Sequence, residues 1–181
     1  MTRLFLIRHA TPLNEGRLAG RRDVSADCSD VEAVAAVRAR LPEGAAQWCS
    51  PALRCRMTAD ALGLVAPDLH QELWEQDYGA WEGLPFDQLP DLGQLGPAEL
   101  ASHRPEGGES FGDMAARAVP RLAAASGDTV VVAHAGTVRA GLSMVVGPAA
   151  LSFTVAPLSL TVLRKTGTDW SVEAVNLTAA P

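Results

Sequence analysis

Short apolar runs alternate along this chain with polar, glycine-bearing stretches. RLFLI at 3–7 is an apolar run of strand length, and the polar segment from Arg8 to Asp30 reads as a long loop. Val31, Val34, Val37 and Leu41 recur at helical spacing, with Pro42 and Gly44 supplying the stop. AAQWC at 45–49 reads as a short buried strand. Ser50 and Pro51 then predict a helix start. The serine hydroxyl can cap free amides and proline loses nothing at the first helical position, which puts Arg54 in the first turn.

Residues 70–108 are rich in Gly, Pro and acids and weakly periodic, so they read as irregular chain with one or two short helices. A helix is predicted over Glu109 to Ala125, where Phe111, Met114, Val119 and Leu122 give an apolar face and Gly127 lies near the end. TVVVA at 129–133 is a β-branched strand, His134 follows it at once, and Gly136 and Thr137 open a helix through Val146. SLTVLRK at 159–165 and WSVEAV at 170–175 form a terminal hairpin about GTD. No repeat or linker divides the chain, so residues 1–181 read as a single domain.

Three strand-then-helix units thus deliver Arg8 with His9, Arg54, and His134 just beyond strand ends. In open α/β sheets the ligand crevice lies beyond the carboxyl ends of the strands. Helix N-termini at that edge add free amides and partial positive charge. The pattern implies an α/β fold, a three-layer α/β/α sandwich with a mostly parallel central sheet, carrying an anion site suited to phosphate.

Composition narrows the partners. A hydrophobic fraction of 48% with 20% charged residues is that of a globular chain. The net charge of -6 opposes nucleic-acid binding, yet a small phosphorylated substrate is compatible with positive charge focused in one cleft. No apolar run is long enough for a membrane span, and Leu4 to Ile7 is too short for a signal peptide, so cytoplasmic residence is expected. Cys28, Cys49 and Cys55 lack CxxC spacing and read as reduced thiols. HxH and HExxH spacings are absent, so neither a metal nor a cofactor is expected. Nothing in the pattern fixes an oligomeric state.

LFLIRHAT resembles the opening of the histidine phosphatase superfamily, the phosphoglycerate mutase-like fold, in which an Arg-His pair follows the first strand. Four further segments agree in order: CSPALRCRMTA at 49–59, LWEQDYGAWEG at 73–83, RPEGGES at 104–110 and VVVAHAGTVRA at 130–140. The resemblance implies a phosphoglycerate mutase-like fold and a covalent phosphohistidine. His9 would be the phosphoryl acceptor, Arg8 and Arg54 the phosphate ligands, Glu75 the proton donor and His134 a further donor to the migrating group. It also implies substrate contacts from Tyr78 and from Arg21, which lies with Arg22 in a loop at the mouth of the site. Glu82 is the reserve acid. Phosphoryl transfer needs an in-line nucleophile, neutralised equatorial oxygens and a protonated leaving oxygen, and this set supplies each without a metal. The charges of Arg8 and Arg54 are expected to keep the His9 ring neutral.

Ala10 and Thr11 stand where the family usually has Gly-Glu, HAGT replaces the commoner His-Gly pairs, and Asn14 falls one position out of register. Glu72 reads as part of a solvated loop, His70 and His103 as surface residues, Trp74 and Trp81 as packing or pocket walls, and Arg139 as structural. Within the family, DYGAWEGLPFDQLP with RPEGGES is most similar to α-ribazole phosphatases of cobalamin assembly. The alternatives are a cofactor-dependent phosphoglycerate mutase and, in another class, a noncatalytic regulatory protein on the same fold.

Overall fold

The computed structural model describes residues 1–179. Its main strands are β1 (Thr2–Arg8), β4 (Ala46–Cys49), β5 (Asp68–Leu69), β6 (Asp128–Ala133), β7 (Leu160–Thr166) and β8 (Asp169–Leu177). They form one six-stranded sheet in the order β5-β4-β6-β1-β7-β8. The β1–β6, β6–β4 and β4–β5 pairs are parallel, while β7 runs antiparallel to both β1 and β8. The helices are α1 (Val31–Arg38), α2 (Leu53–Ala61), α3 (Pro97–Ser102), α4 (Phe111–Ala123) and α5 (Ala135–Val146). No helix among the described residues is long and apolar enough to cross a membrane.

The unbroken apolar run of β1 has its explanation in the layers. Phe5 and Ile7, with Val130 and Val132 of β6, face one way onto Val34, Val37, Cys55 and Leu62 of the α1 and α2 side. Leu4 and Leu6, with Val131 and Ala133, face the other way onto Leu122 of α4 and Val138 and Leu142 of α5. Both faces are covered, so no position in the run can be polar. Each such side chain contributes about 1.5–3 kcal/mol of burial. Gly141 lets α5 approach β1 closely, since a Cβ there would lie 2.6 Å from Leu6 Cδ1.

Several elements differ from their sequence-based expectation. α2 begins at Leu53 with Ala52, which has no capping side chain, in the cap position: the Leu53 amide donates to Asp23 Oδ1 at 2.7 Å, while the Ser50 hydroxyl lies before the helix and meets His134 at 2.9 Å and the Ala52 amide at 3.4 Å. α4 starts after Ser110, whose hydroxyl accepts from the Asp113 amide at 3.1 Å while Asp113 accepts from the Ser110 amide at 2.8 Å. This capping box leaves Glu109 outside the helix. The loop after β1 contains a small antiparallel pairing of β2 (Thr11–Pro12) with β3 (Ala26–Asp27). The stretch at 70–108 holds three 3-10 turns besides α3. His70 and His103 are half-buried rather than on the surface: each packs on an indole, Trp48 at 5.0 Å and Trp81 at 5.4 Å between ring centroids. All three cysteines are free thiols, and burial pushes that of Cys49 up to about 12.

Candidate active site

The parallel ends of β1 and β6 set the two histidines side by side. The His9 amide donates to the Ala133 carbonyl at 2.9 Å, and the Ala10 amide donates to Thr58 Oγ1 of α2 at 2.9 Å. Ala10 is fully buried and its φ is not positive, so its methyl group carries no backbone strain where the family commonly has glycine. His9 Nδ1 lies 2.7 Å from the Ala10 carbonyl oxygen. That oxygen can only accept, so Nδ1 carries the hydrogen and Nε2 presents a lone pair. The His9 ring is held neutral, its pKa lowered to about 3, first by burial and then by the charges of Arg54 and Arg8. The two arginines act in the expected direction, and burial adds the larger cause.

Arg54, in the first turn of α2, is 1% exposed and reaches across to this ring. Its Nε donates to His9 Nε2 at 3.3 Å, Nη1 to the Arg22 carbonyl at 2.9 Å and Nη2 to the Gly20 carbonyl at 2.7 Å. His134 lies behind His9, ring centroids 5.3 Å apart at an angle of 71°, and stacks on Trp74. It is fully buried, which lowers its pKa well below the ordinary value, and its Nε2 shares a 2.9 Å hydrogen bond with Ser50 Oγ. Ser50 therefore orients the second histidine instead of capping α2.

A cleft of about 290 Å³ opens over His9 Nε2, lined among others by Arg8, Arg54, Glu75, Tyr78 and Arg139. Arg8 Nη1 donates to the Val155 carbonyl at 2.6 Å, and its buried Nε has no partner. Arg139 Nε and Nη2 donate to the Phe153 carbonyl at 3.1 and 3.0 Å. Among the described residues neither Arg139 Nη1 nor the Tyr78 hydroxyl has a hydrogen-bond partner, and Arg8, Arg54 and Arg139 form no salt bridge. Guanidinium groups seldom stay unpaired when buried. Their convergence defines an anion site.

Glu75 enters this cleft from the irregular stretch, and a clamp holds its backbone. Arg117 of α4 donates to both carboxylate oxygens of Glu109 at 2.9 and 2.8 Å, and to the carbonyls of Glu72, Trp74 and Glu75 at 2.8, 2.9 and 2.9 Å. Against the burial that would raise it, the Arg117 bonds and the Asp77 amide keep Glu109 below the usual carboxylate range. The carboxylate of Glu75 accepts from the Gln76 amide at 3.0 Å and the Gly136 amide at 3.4 Å. A Cβ at position 136 would overlap Glu75 Oε1.

The structure thus brings together Arg8, His9, Arg54, Glu75 and Tyr78, with His134 directly behind. Arg21 stands apart: its Nε donates to the Glu75 carbonyl at 3.0 Å and its Nη2 pairs with Glu109 at 3.5 Å, so it braces the loop and does not line the cleft. Glu82 is likewise a brace, its Oε1 accepting from the amides of Arg21 at 2.7 Å and Tyr78 at 3.1 Å. Asn14 lines the cleft, its Nδ2 donating to the Arg17 carbonyl at 2.6 Å. Arg139 is the residue that sequence reasoning missed. Ala135 and Arg139 both line the cleft, one helical turn apart on α5, and that spacing from a strand-end histidine is the signal for it.

The family model of the histidine phosphatase superfamily (branch 1) matches residues 4–178. A search of curated proteins returned no match. Among solved structures, TTHB049 from Thermus thermophilus is 28% identical over 97% of this chain and 99% of its own, with a TM-score of 0.78. The mycobacterial glucosyl-3-phosphoglycerate phosphatase Rv2419c is 25% identical over 98% of this chain and 99% of its own, with a TM-score of 0.82. Rv3214 from Mycobacterium tuberculosis, 24% identical over 99% of both chains with a TM-score of 0.82, shares the fold. With the matched span running from the first strand to the last, and an Arg-His pair at the end of that first strand, this chain belongs to branch 1 of the histidine phosphatase superfamily and is a phosphatase.

Proposed function

We propose that this phosphatase hydrolyses a phosphomonoester through a phosphohistidine formed on His9 Nε2. The observation that carries the reading is a neutral imidazole lone pair facing a cleft whose three guanidiniums have no carboxylate partner among the described residues. The phosphate displaces the weak Arg54 contact to Nε2 and is held by Arg8, Arg54 and Arg139. Nε2 attacks phosphorus, the bond from phosphorus to the alcohol oxygen breaks, and Glu75 delivers its proton to that oxygen. Water then attacks, the P–N bond breaks, and Glu75 takes the water's proton. Tyr78 contacts the substrate, His134 backs the nucleophile, and Arg21 acts by holding Glu75.

The substrate we favour is α-ribazole 5'-phosphate or a similar nucleotide-like monoester. Support comes from the similarity of residues 77–90 and 104–110 to α-ribazole phosphatases. It comes also from the shortness of the covering chain, since between Glu82 and Ser110 the only helix longer than a 3-10 turn is the six-residue α3. A mutase must keep water from its phosphohistidine while the intermediate turns over, which takes more cover than this. The mycobacterial relative's name adds glucosyl-3-phosphoglycerate as a substrate to try.

Rapid quench with 32P-labelled substrate should trap an acid-labile, alkali-stable phosphoenzyme that His9→Ala abolishes. A phosphomonoester panel including α-ribazole 5'-phosphate, glucosyl-3-phosphoglycerate and 3-phosphoglycerate, scored for phosphate release and for isomerised ester, decides the substrate. Full turnover in the alanine variant overturns the nucleophile. Isomerisation of 3-phosphoglycerate without phosphate release overturns the hydrolase.

A further inference from the structure

The proposed reaction accounts for the phosphate but not for a second space beside it. A cavity of about 180 Å³ adjoins the cleft, and Tyr78 and Arg139 line both. Its remaining walls are mostly apolar, with Leu92, Leu100, Phe111 and Leu151 around the stacked rings of Trp81 and His103. An apolar cavity of about 150 Å³ is enough to take up benzene. This one is larger and has flat walls.

Several of its polar atoms lack protein partners. The Nε2 of His103 is buried with no hydrogen bond. Gln76 spends its amide nitrogen on the Glu109 carbonyl at 2.7 Å, which leaves its oxygen as an acceptor. At the junction with the cleft stand the Tyr78 hydroxyl and Arg139 Nη1, which have no partner among the described residues. A mainly apolar pocket with a few convergent polar groups is the usual make-up of a site for a small organic ring.

We propose that the two spaces form one substrate site, with the phosphate over His9 and a flat, ring-bearing alcohol in the second cavity, past Tyr78 and Arg139. The inference rests on the phosphatase reading and adds where the alcohol is recognised and by what: esters of alcohols that carry an aromatic or heteroaromatic ring are preferred over those of small ring-free ones. Arg139 is then a specificity-determining residue, since it holds the phosphate on one side and borders the ring on the other.

Binding reads this independently of turnover. Calorimetric titration should show 2-naphthylmethylphosphonate binding at least about tenfold tighter than methylphosphonate to the unaltered protein, about the gain expected from burying part of a ring. Leu100→Trp, at an exposed position whose larger side chain fills the cavity, should erase that preference while leaving methylphosphonate binding within about twofold. Leu92→Trp is the second such variant, so a folding defect in one leaves the other. Equal binding of the two phosphonates, or a preference that survives both tryptophans, overturns the ring site. Hydrolysis of 2-naphthylmethyl phosphate is followed in parallel. Ring-selective binding without any hydrolysis supports the ring site and removes the phosphatase reading, so the two failures are distinct.

Discussion

Arg54 Nε lies 3.3 Å from His9 Nε2, a cation pointed at the lone pair of the proposed nucleophile. The contact exists because the other two nitrogens of the guanidinium are pinned on the Gly20 and Arg22 carbonyls. Lysine keeps the charge but cannot serve three directions in one plane. Arg54→Lys should therefore lower kcat/KM by about 10²-fold, a loss typical of a single transition-state donor. Single-turnover phosphoenzyme formation measures it, and a variant within a few-fold of the parent would show that the fork geometry is unimportant.

The protonation of His9 and His134 links activity to stability. Both pKa values are lowered on folding, so as pH falls the unfolded chain takes up protons first. Stability is then full above the ordinary histidine value and declines as pH drops toward about 3, the folded value for His9. His9 contributes a slope of about 1.4 kcal/mol per pH unit in that window, and His134 acts in the same direction. Thermal melts should show Tm constant above about pH 7 and falling below about pH 6, before carboxylates begin to titrate. Nitrogen NMR of the His9 ring should report the neutral Nδ1–H form at about pH 5; a charged ring there contradicts the assignment.

Gly136 is required by the position of Glu75. A methyl group at 136 would occupy the place of Glu75 Oε1, and Met114 Cε stands 3.0 Å away, so the carboxylate must move. Gly136→Ala should cost about 10²-fold in kcat on ethyl phosphate, whose alkoxide needs a proton. p-Nitrophenyl phosphate, with a good leaving group, should lose far less. Equal losses on both esters would assign Glu75 a part other than acid.

Arg117 touches none of the lining residues' reactive atoms, yet it gathers three carbonyls of the loop that carries Glu75. It is a positioning residue. Arg117→Lys should loosen the loop and lower kcat on ethyl phosphate by roughly 10- to 100-fold, with KM for inorganic-phosphate-like groups little changed. The leaving-group dependence should mirror that of Gly136→Ala. A uniform loss across esters, tracking a drop in Tm, would reduce Arg117 to a structural role.

Local pattern was enough to read the parts of this protein that depend on near neighbours in the chain. The apolar run of β1, the β-branched run of β6 and the periodicity of α1 each declare themselves within a dozen residues, because strand and helix faces repeat every two or 3.6 positions. Strand-end placement of His9 and His134, and the parallel sheet that brings them together, followed from the same rules. The clamp is different in kind. Arg117 meets the carbonyls of residues 72–75 from α4, across about forty intervening positions, with no periodicity to announce it. Arg21 and Arg139 were separable only in three dimensions. Both are arginines near motif residues, but the Glu75 carbonyl and Glu109 capture Arg21, whereas Arg139 bonds only one carbonyl and keeps Nη1 without a partner among the described residues. Ser50 illustrates the same competition: a serine before Pro51 reads as a helix cap, and a buried histidine eighty-four positions away takes its hydroxyl instead. Sequence thus determined which elements form and which residues reach the sheet edge. Tertiary packing decided which cations stay unpaired there, because a side chain's partner is chosen by every group within its reach, and most of those are distant in the chain.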